Sequence, residues 1–183
     1  MVSDKITTTG GWSLKGRVGL KMPQKSGSFN INWAQQGDGF EIYITSTLGL
    51  SIAHLKGSGR GDSRRASIDI PKRGHFEAAS AALLLKDHTG LVIPIESLQY
   101  WVRGEPAPES IFEKKKDFKN QEGFEQQKDI LIQSGWVIEY LAYEDELPVR
   151  IKLARGEVSV MLIIKEWKDI KVRKDAKAWE GTT

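Results

Sequence analysis

The sequence predicts a mainly β protein in which one curved antiparallel sheet carries helices on its apolar face. Three observations predict this class: apolar and polar residues alternate along most of the chain, tight turns separate the alternating runs, and helical periodicity interrupts them near the middle. The expected order is five or six strands, two helices, and four or five further strands. We expect one domain at 12–170, flanked by loose tails at 1–11 and 171–183.

The alternation is clearest at the start of the domain, from Trp12 to Met22. Apart from Gly16, the even positions there carry apolar side chains, and cationic side chains occupy odd positions, so a shift of one residue would bury three cations. The turn at 36–39, Gln-Gly-Asp-Gly, is a strong hairpin signal between two such runs. Further strands are predicted at about 29–33, 40–44, 50–56 and 66–70. These strands form a meander of antiparallel neighbours.

Two segments beyond residue 70 have helical periodicity instead. The first, 76–87, is rich in alanine and leucine, which form helices at little cost, and it places Phe76, Ala79 and Leu83 on one face. The second, 94–103, begins with a proline suited to a first helical turn and ends before a glycine. We therefore expect two helices on the apolar side of the sheet.

A charged linker is expected at 105–120, after which alternation resumes. The strands predicted there lie at about 124–133, 136–144, 149–154 and 158–167, with tight turns at Ser134-Gly135 and Arg155-Gly156. Alternation shows which face of the sheet is apolar. It does not show whether that face is packed solid or left open as a cavity.

The composition excludes several classes of function. The chain has no cysteine, which removes disulfides, thiolate metal sites and cysteine nucleophiles. His54, His75 and His88 lie in different predicted elements, so we expect no metal site and no cofactor. The glycine-rich run 57–61 precedes a strand and is interpreted as a turn rather than a phosphate loop. No motif of an enzyme stands out, and no apolar run approaches the roughly 20 residues that a membrane-spanning helix needs.

Five short motifs, in order, resemble the LolB family of outer-membrane lipoprotein receptors. They are GRVGL at 16–20, FNINWAQQGD at 29–38, TLG at 47–49, PIESLQYWVRGEP at 94–106 and QSGW at 133–136. Tyr140, Tyr143, the Leu147-Pro148 pair and Trp167 follow in the same order, so the resemblance covers about residues 12 to 168.

The resemblance implies an incomplete, half-open barrel of about eleven antiparallel strands, with two or three helices covering its apolar concave face. It implies a receptor that accepts acylated lipoproteins from the periplasmic carrier LolA in a hydrophobic cavity and inserts them into the outer membrane without ATP. The expected partners are a LolA-type carrier, acylated lipoproteins and the inner leaflet of the outer membrane, with no nucleic acid and no cofactor. The protein is expected to be a monomer and not an enzyme.

The resemblance also implies roles for particular residues. Leu48, with Gly49, would form a protruding loop that assists insertion into the membrane, although the proline that family members carry before this leucine is replaced by Thr47. The acyl-chain cavity would be lined by Leu14, Val18, Leu20, Phe29, Ile31, Trp33, Phe40, Ile42, Ile44, Leu98, Trp101 and Trp136. Ordinary core packing is the alternative interpretation of these twelve side chains.

Family members carry an acylated cysteine at the mature N-terminus. We therefore expect a native form that is lipid-anchored at the periplasmic face of the outer membrane, whereas this cysteine-free chain is expected to be soluble. One alternative function is a soluble periplasmic lipid or lipoprotein carrier, LolA-like or lipocalin-like. Another is a nucleic-acid-binding barrel, suggested by the pI near 9.0 and six tryptophans. It would need aromatic side chains on the exposed face, whereas alternation places them on the apolar face.

Overall fold

A computed structural model describes residues 11–108, 110–121 and 124–168 of the 183-residue chain. Within these residues, eleven strands form one antiparallel sheet. The strands are β1 (Trp12–Met22), β2 (Lys25–Gln36), β3 (Gly39–Thr45), β4 (Ser51–Ser58), β5 (Arg65–Ile70), β6 (Gly74–Ala78), β7 (Phe112–Gln121), β8 (Phe124–Gln133), β9 (Trp136–Glu144), β10 (Leu147–Arg155) and β11 (Val158–Lys168). The predicted tails lie outside the described residues, apart from Gly11.

The strand order is β6-β5-β4-β3-β2-β1-β11-β10-β9-β8-β7. Each strand pairs with its sequence neighbours, except that β6 does not pair with β7. In addition, β1 pairs with β11 and joins the first half of the sheet to the second. β6 and β7 are the two edges of this sheet, which is not closed. The two helices, α1 (Ala81–Thr89) and α2 (Ile95–Trp101), follow β6 and precede β7. The predicted fold class, a half-open antiparallel barrel with helices on its apolar face, is confirmed.

The core lies between the sheet and these helices. In β1 the even-numbered side chains from Trp12 to Val18 are buried, and Lys15 and Arg17 are exposed, as the alternation predicts. A short 3-10 helix at Gly61–Ser63 connects β4 to β5. None of the helices that the structure describes is long and apolar enough to span a bilayer.

The first helix begins later than predicted. Residues Gly74–Ala78 form β6, in which Phe76 pairs with Ile68 of β5. The helix begins at Ala81 because Ser80 is its N-cap, with the Ser80 hydroxyl accepting a hydrogen bond from the Leu83 amide at 3.3 Å. The prediction of which side chains this helix buries was also wrong.

The buried side chains of α1 are Ala81, Leu84 and Leu85, while Leu83 is half exposed. They pack towards β4, β5 and β6. Gly90 ends the helix with a φ of 73°, a conformation that glycine adopts without strain.

The second helix agrees with the prediction. Pro94 precedes Ile95, and Gly104 follows with a φ of 80°. Ile95 and Trp101 are buried, which places one face of this seven-residue helix against the core.

The linker predicted at 105–120 was wrong in its second half. Phe112–Gln121 forms β7, which pairs with β8 from Phe112 opposite Gln133 to Gln121 opposite Phe124. The lysines at 114–116 suggested a solvated linker, but lysine is also common on edge strands, where it discourages pairing with other chains. An edge strand with charges on both faces lacks the alternation that reveals inner strands.

A buried glutamine fixes the segment after α2 to the sheet. Gln133 of β8 accepts hydrogen bonds from the Trp101 indole N–H at 2.7 Å and from the Ala107 amide at 2.8 Å. Its own amide donates to the carbonyl oxygens of Ala107 and Ser110, at 2.8 and 3.2 Å. All four bonds use one side chain that is 1% exposed. Gln133 therefore holds the end of α2 and the chain that leads to β7.

We expect Gln133→Leu to lower the free energy of unfolding by about 3 kcal/mol, because it leaves buried donors and acceptors of Trp101 and Ala107 without partners. Chemical denaturation monitored by circular dichroism measures this change. Gln36→Leu is the matched control, since Gln36 is exposed in β2 and should change stability by no more than about 0.5 kcal/mol. Equal effects of the two variants would contradict the role of Gln133.

Candidate functional site

An ordered loop at 46–50 connects β3 to β4. Ser46 closes it with its backbone N–H donating to the Leu50 carbonyl at 2.8 Å and its own carbonyl accepting from Gly49 at 2.9 Å. The Ser46 hydroxyl also accepts from the Leu50 amide at 3.1 Å, and Asn30 of β2 donates to the Ser46 carbonyl at 3.2 Å. Gly49 has a φ of 85°, which disfavours other residues there. These hydrogen bonds therefore give the loop a fixed shape.

This loop exposes apolar side chains. Leu48 is 88% exposed at its tip, Leu50 is 69% exposed, and Ile52 at the start of β4 is also exposed. Single exposed apolar residues are common, but a group of them on a rigid protrusion is typical of a binding surface. Leu48 and Gly49 were predicted for this loop from the sequence, whereas Leu50 and Ile52 were missed. The alternation of Ile52 with the buried Ala53 and Leu55 could have indicated its outward orientation.

The twelve residues predicted to line an acyl-chain cavity all belong to one apolar body. Six are buried in its centre: Leu14, Val18, Trp33, Ile42, Trp101 and Trp136. The other six are half-buried and pack against that centre: Leu20, Phe29, Ile31, Phe40, Ile44 and Leu98. In this conformation the concave face is thus largely occupied by side chains of the sheet and of α2.

Four of the half-buried residues lie towards the same end of the sheet as the 46–50 loop. Ile31 of β2 pairs with Ile44 of β3, and the neighbouring pair, Asn30 with Thr45, adjoins the loop. Phe29 comes one residue before Asn30 in β2 and pairs with Val18 of β1. Leu20 lies one inward position further along β1. Four of the six half-buried residues therefore lie at the end of the sheet that carries Leu48, which we call the loop end.

Two other cavities differ in character from this apolar body. A groove of about 1220 Å³ lies at the end of the sheet opposite the loop end and has a mixed lining, in which inward-facing residues such as Trp12 and Phe40 meet charged residues such as Glu41 and Lys56. A smaller cavity of about 360 Å³ brings Phe40 and Tyr100 together with arginines of the β4–β5 connection. Acyl chains need a mostly apolar lining, and the charged side chains at both volumes make the inward face of the sheet the better candidate.

A second buried glutamine fixes α2 from the opposite half of the sheet. Gln35 of β2 accepts a hydrogen bond from the Trp33 indole at 3.1 Å and donates to Gln99 of α2 at 2.8 Å. It also donates to the Gly37 carbonyl at 2.9 Å. Gln35 and Gln133 therefore hold α2 between the two halves. Sequence reasoning missed both, although Gln35 continues the inward series Phe29, Ile31, Trp33.

The outer face of β3 to β6 carries paired histidines and carboxylates. Glu41 accepts hydrogen bonds from Tyr43 at 2.9 Å and His54 at 2.6 Å, and these lower the pKa of the Glu41 carboxyl below its usual 4.5. His75 lies 2.7 Å from Asp69 and 3.3 Å from Glu77. In the part of the chain that the structure describes, no group of three or more histidine and acidic side chains is arranged to hold a metal ion.

The contacts with Asp69 and then Glu77 raise the pKa of His75 above its usual 6.5. The stabilisation from these contacts is fully present below pH 6.5 and is lost as the pH rises through the raised pKa. We expect an NMR titration of His75 to show a midpoint above 6.5 and Asp69→Asn to lower it. Asp87→Asn, which alters an exposed carboxylate in α1, is the control. An unchanged His75 midpoint in the Asp69→Asn variant would contradict the contact between His75 and Asp69.

The sequence of this chain is similar to that of known outer-membrane lipoproteins. The family described as "Outer membrane lipoprotein LolB" matches residues 10–167. The outer-membrane lipoprotein LolB of Pseudomonas fluorescens is 34% identical over 168 residues, covering 90% of this chain and 77% of the relative. The corresponding protein of Stutzerimonas stutzeri is 35% identical over 166 residues, covering 88% and 76%.

Solved structures share the fold. A DUF1329 family protein from Desulfovibrio piger gives a TM-score of 0.56 at 7% identity, covering 93% of this chain and 90% of that one. A LolA superfamily protein from Nitrosomonas europaea gives 0.51 at 8% identity, covering 90% and 88%. The family match spans β1 to β11, and the relatives share a third of their residues over most of the chain, so this protein belongs to the LolB family.

Proposed function

We propose that this protein accepts acylated lipoproteins from a LolA-type periplasmic carrier into its apolar interior and inserts them into the inner leaflet of the outer membrane without ATP. The observation that carries the proposal is the position of Leu48. This exposed leucine lies on a loop of fixed shape, at the same end of the sheet as the half-buried Phe29, Ile31 and Ile44. A bound acyl chain leaving the interior there would be beside the side chain that enters the membrane.

The need for a covered route follows from hydrophobic energetics. Each methylene moved out of water is worth about 0.8 kcal/mol, so one chain of about sixteen carbons gains roughly 12 kcal/mol from a covered site. A lipoprotein therefore cannot cross an aqueous space unless its acyl chains stay buried. Transfer between two apolar sites requires no ATP if the acceptor binds more tightly, and a preference of about 1.4 kcal/mol gives a tenfold bias.

Acyl chains need room that the packed conformation does not offer. We propose that α1 and α2 move away from the concave face during loading and that the half-buried residues Phe29, Ile31 and Ile44 contact the chains first. The buried indole N–H of Trp136 finds no acceptor among the described residues. An unpaired buried donor is costly, and an ester carbonyl of the cargo would satisfy it. This supports an interior site near β9.

The proposed location is the periplasmic face of the outer membrane, with a lipid anchor on the native form and a monomeric receptor domain. The relatives are named outer-membrane lipoproteins, which supports this location. The family is not one of enzymes, in agreement with the sequence interpretation. We also propose that residues 12–170 act as one unit.

The test is transfer of a fluorescently labelled acylated lipoprotein from its purified carrier to this protein, without ATP, followed by pull-down. Co-purification of the label with this protein supports the acceptor role. No transfer, while an established receptor accepts the same cargo in parallel, overturns it.

A soluble carrier is the second candidate, favoured by the fold shared with the LolA superfamily protein. Vesicles added to the loaded complex distinguish the two functions. A receptor deposits the lipoprotein into the vesicles, whereas a carrier retains it. The exposed Leu48 and Leu50 favour the receptor, because a protein that must stay in solution gains nothing from an apolar protrusion.

A further inference from the structure

Three connections lie side by side at the loop end of the sheet: the β1–β2 turn, the 46–50 loop and the β5–β6 turn. They are neighbours because the strand order places β1 to β6 consecutively and each connection joins adjacent strands at that end. Neighbouring strands are about 4.8 Å apart, so successive connections are roughly 10 Å apart along the edge. Ser51, directly after the loop, also borders the same surface depression as Lys72 and Arg73 of the β5–β6 turn.

These connections carry positive charge on both sides of the apolar tip. The segments 20–30, 42–54 and 70–76 contain Lys21, Lys25, Lys72 and Arg73 and no aspartate or glutamate. All four cations are exposed. The carboxylates of the neighbouring strands, Glu41 and Asp69, face the outer surface and contact His54 and His75. Asp69 also borders the depression that Lys72 and Arg73 line, and Glu157 lies in the β10–β11 turn at this end, so the four cations outnumber the carboxylates near them.

We propose that Lys21, Lys25, Lys72 and Arg73 form a basic collar that binds the anionic headgroups of a phospholipid bilayer, with Leu48 and Leu50 inserting between the lipids. The inference rests on the proposed function, and it adds the class of lipid that this surface recognises. Phosphate groups in the interface attract cations, and the acyl region takes the leucines. Two leucines alone would give weak, reversible binding, so the collar supplies a second signal.

An anionic bilayer fits this surface better than a soluble anion or an acidic protein. A free anion would not need the exposed leucines, which lie between the two cationic turns. A bilayer presents negative charge and apolar volume together in one plane, as this end of the sheet presents positive charge and apolar side chains. Headgroups of the phosphatidylglycerol or cardiolipin type supply that charge.

The test is sedimentation of the full chain with vesicles of phosphatidylcholine alone or of equal parts phosphatidylcholine and phosphatidylglycerol. The collar variant is Lys72→Asn with Arg73→Gln; asparagine suits position 72 because its φ is 64°. The matched control is Arg17→Gln with Lys165→Gln, which removes two exposed cations from the outer faces of β1 and β11. Both variants change the net charge equally. Inorganic phosphate is added as a competitor in a separate arm.

We expect the wild type to favour the anionic vesicles and the collar variant to lose about fivefold in partition coefficient for each cation removed, at low salt. The control should stay within about twofold, and high salt should remove the difference between the variants. Equal partition into both kinds of vesicle, equal loss in collar and control variants, or displacement by phosphate at unchanged ionic strength would overturn the inference. Transfer of lipoprotein into phosphatidylcholine vesicles alone tests the proposed function separately, since it needs no anionic lipid.

Discussion

Leu48→Glu is expected to leave the free energy of unfolding within about 0.5 kcal/mol of the wild type and to lower delivery of bound lipoprotein into vesicles at least tenfold. The fold is unaffected because Leu48 is 88% exposed and the loop is fixed by backbone and Ser46 contacts that the substitution leaves intact. Delivery suffers because exchanging leucine for a charged residue in a bilayer costs about 3 kcal/mol. Thermal denaturation and a vesicle transfer assay measure the two effects separately.

The matched control for Leu48→Glu is Ile163→Glu. Ile163 is 41% exposed on the outer face of β11, where it pairs with Arg17 in the middle of the sheet, so this variant places the same charge at an exposed aliphatic position away from the loop end. We expect normal stability and normal delivery. Loss of stability in Leu48→Glu would show that Leu48 packs onto the protein in solution, and equal loss of delivery in both variants would remove any special role of the loop.

Trp101→Ala is expected to lower the free energy of unfolding by about 4 kcal/mol. The Trp101 side chain is fully buried, and its ring centroid lies 6.3 Å from that of Trp136. The substitution leaves a cavity between α2 and the sheet and removes the donor to Gln133. It also weakens the contact in which Tyr140 donates to the Trp101 carbonyl at 2.7 Å, since α2 would shift into the space. Urea denaturation followed by far-ultraviolet circular dichroism measures the loss.

Trp101→Phe separates packing from hydrogen bonding. It keeps one aromatic ring in the core and removes the indole N–H together with part of the ring volume, so we expect a smaller loss of about 2 kcal/mol, arising from the hydrogen bond lost by Gln133 and from the volume lost. A loss below about 1 kcal/mol in Trp101→Ala would contradict the placement of α2 in the core. It would favour an α2 that leaves the concave face already in the unloaded protein.

Much of the fold was predictable because the sheet has one wet and one apolar face. β1, β8 and β9 matched their predicted bounds, because alternation continues to the end of β1 and the Ser134-Gly135 turn separates β8 from β9. β6 and β7 were missed because edge strands pair on one side only and depend less on side-chain pattern. The first helix was predicted to begin at residue 76 because the segment is rich in alanine and leucine. Ser80 is a common N-cap residue type and could have indicated the observed start at Ala81.

The candidate site was less predictable than the fold. Alternation identified the inward residues but not how tightly Trp33, Trp101 and Trp136 pack, since packing depends on which strands and helices meet in space. The resemblance to the LolB family pointed to Leu48, and family membership is confirmed; its role in insertion stays a prediction. Gln35 and Gln133 were missed because a polar residue at an inward position resembles an interruption of the pattern.

The unpaired edges β6 and β7 have a consequence for the size of the interior. A closed barrel has a circumference set by its number of strands and their stagger, so it can widen only by breaking a ladder of hydrogen bonds. An open sheet has no such constraint, because a small change of twist between each pair of eleven strands alters its radius while every ladder stays intact. Under the proposed function, the enclosed volume would follow the cargo, and one receptor would hold proteins that differ in the number and length of their acyl chains.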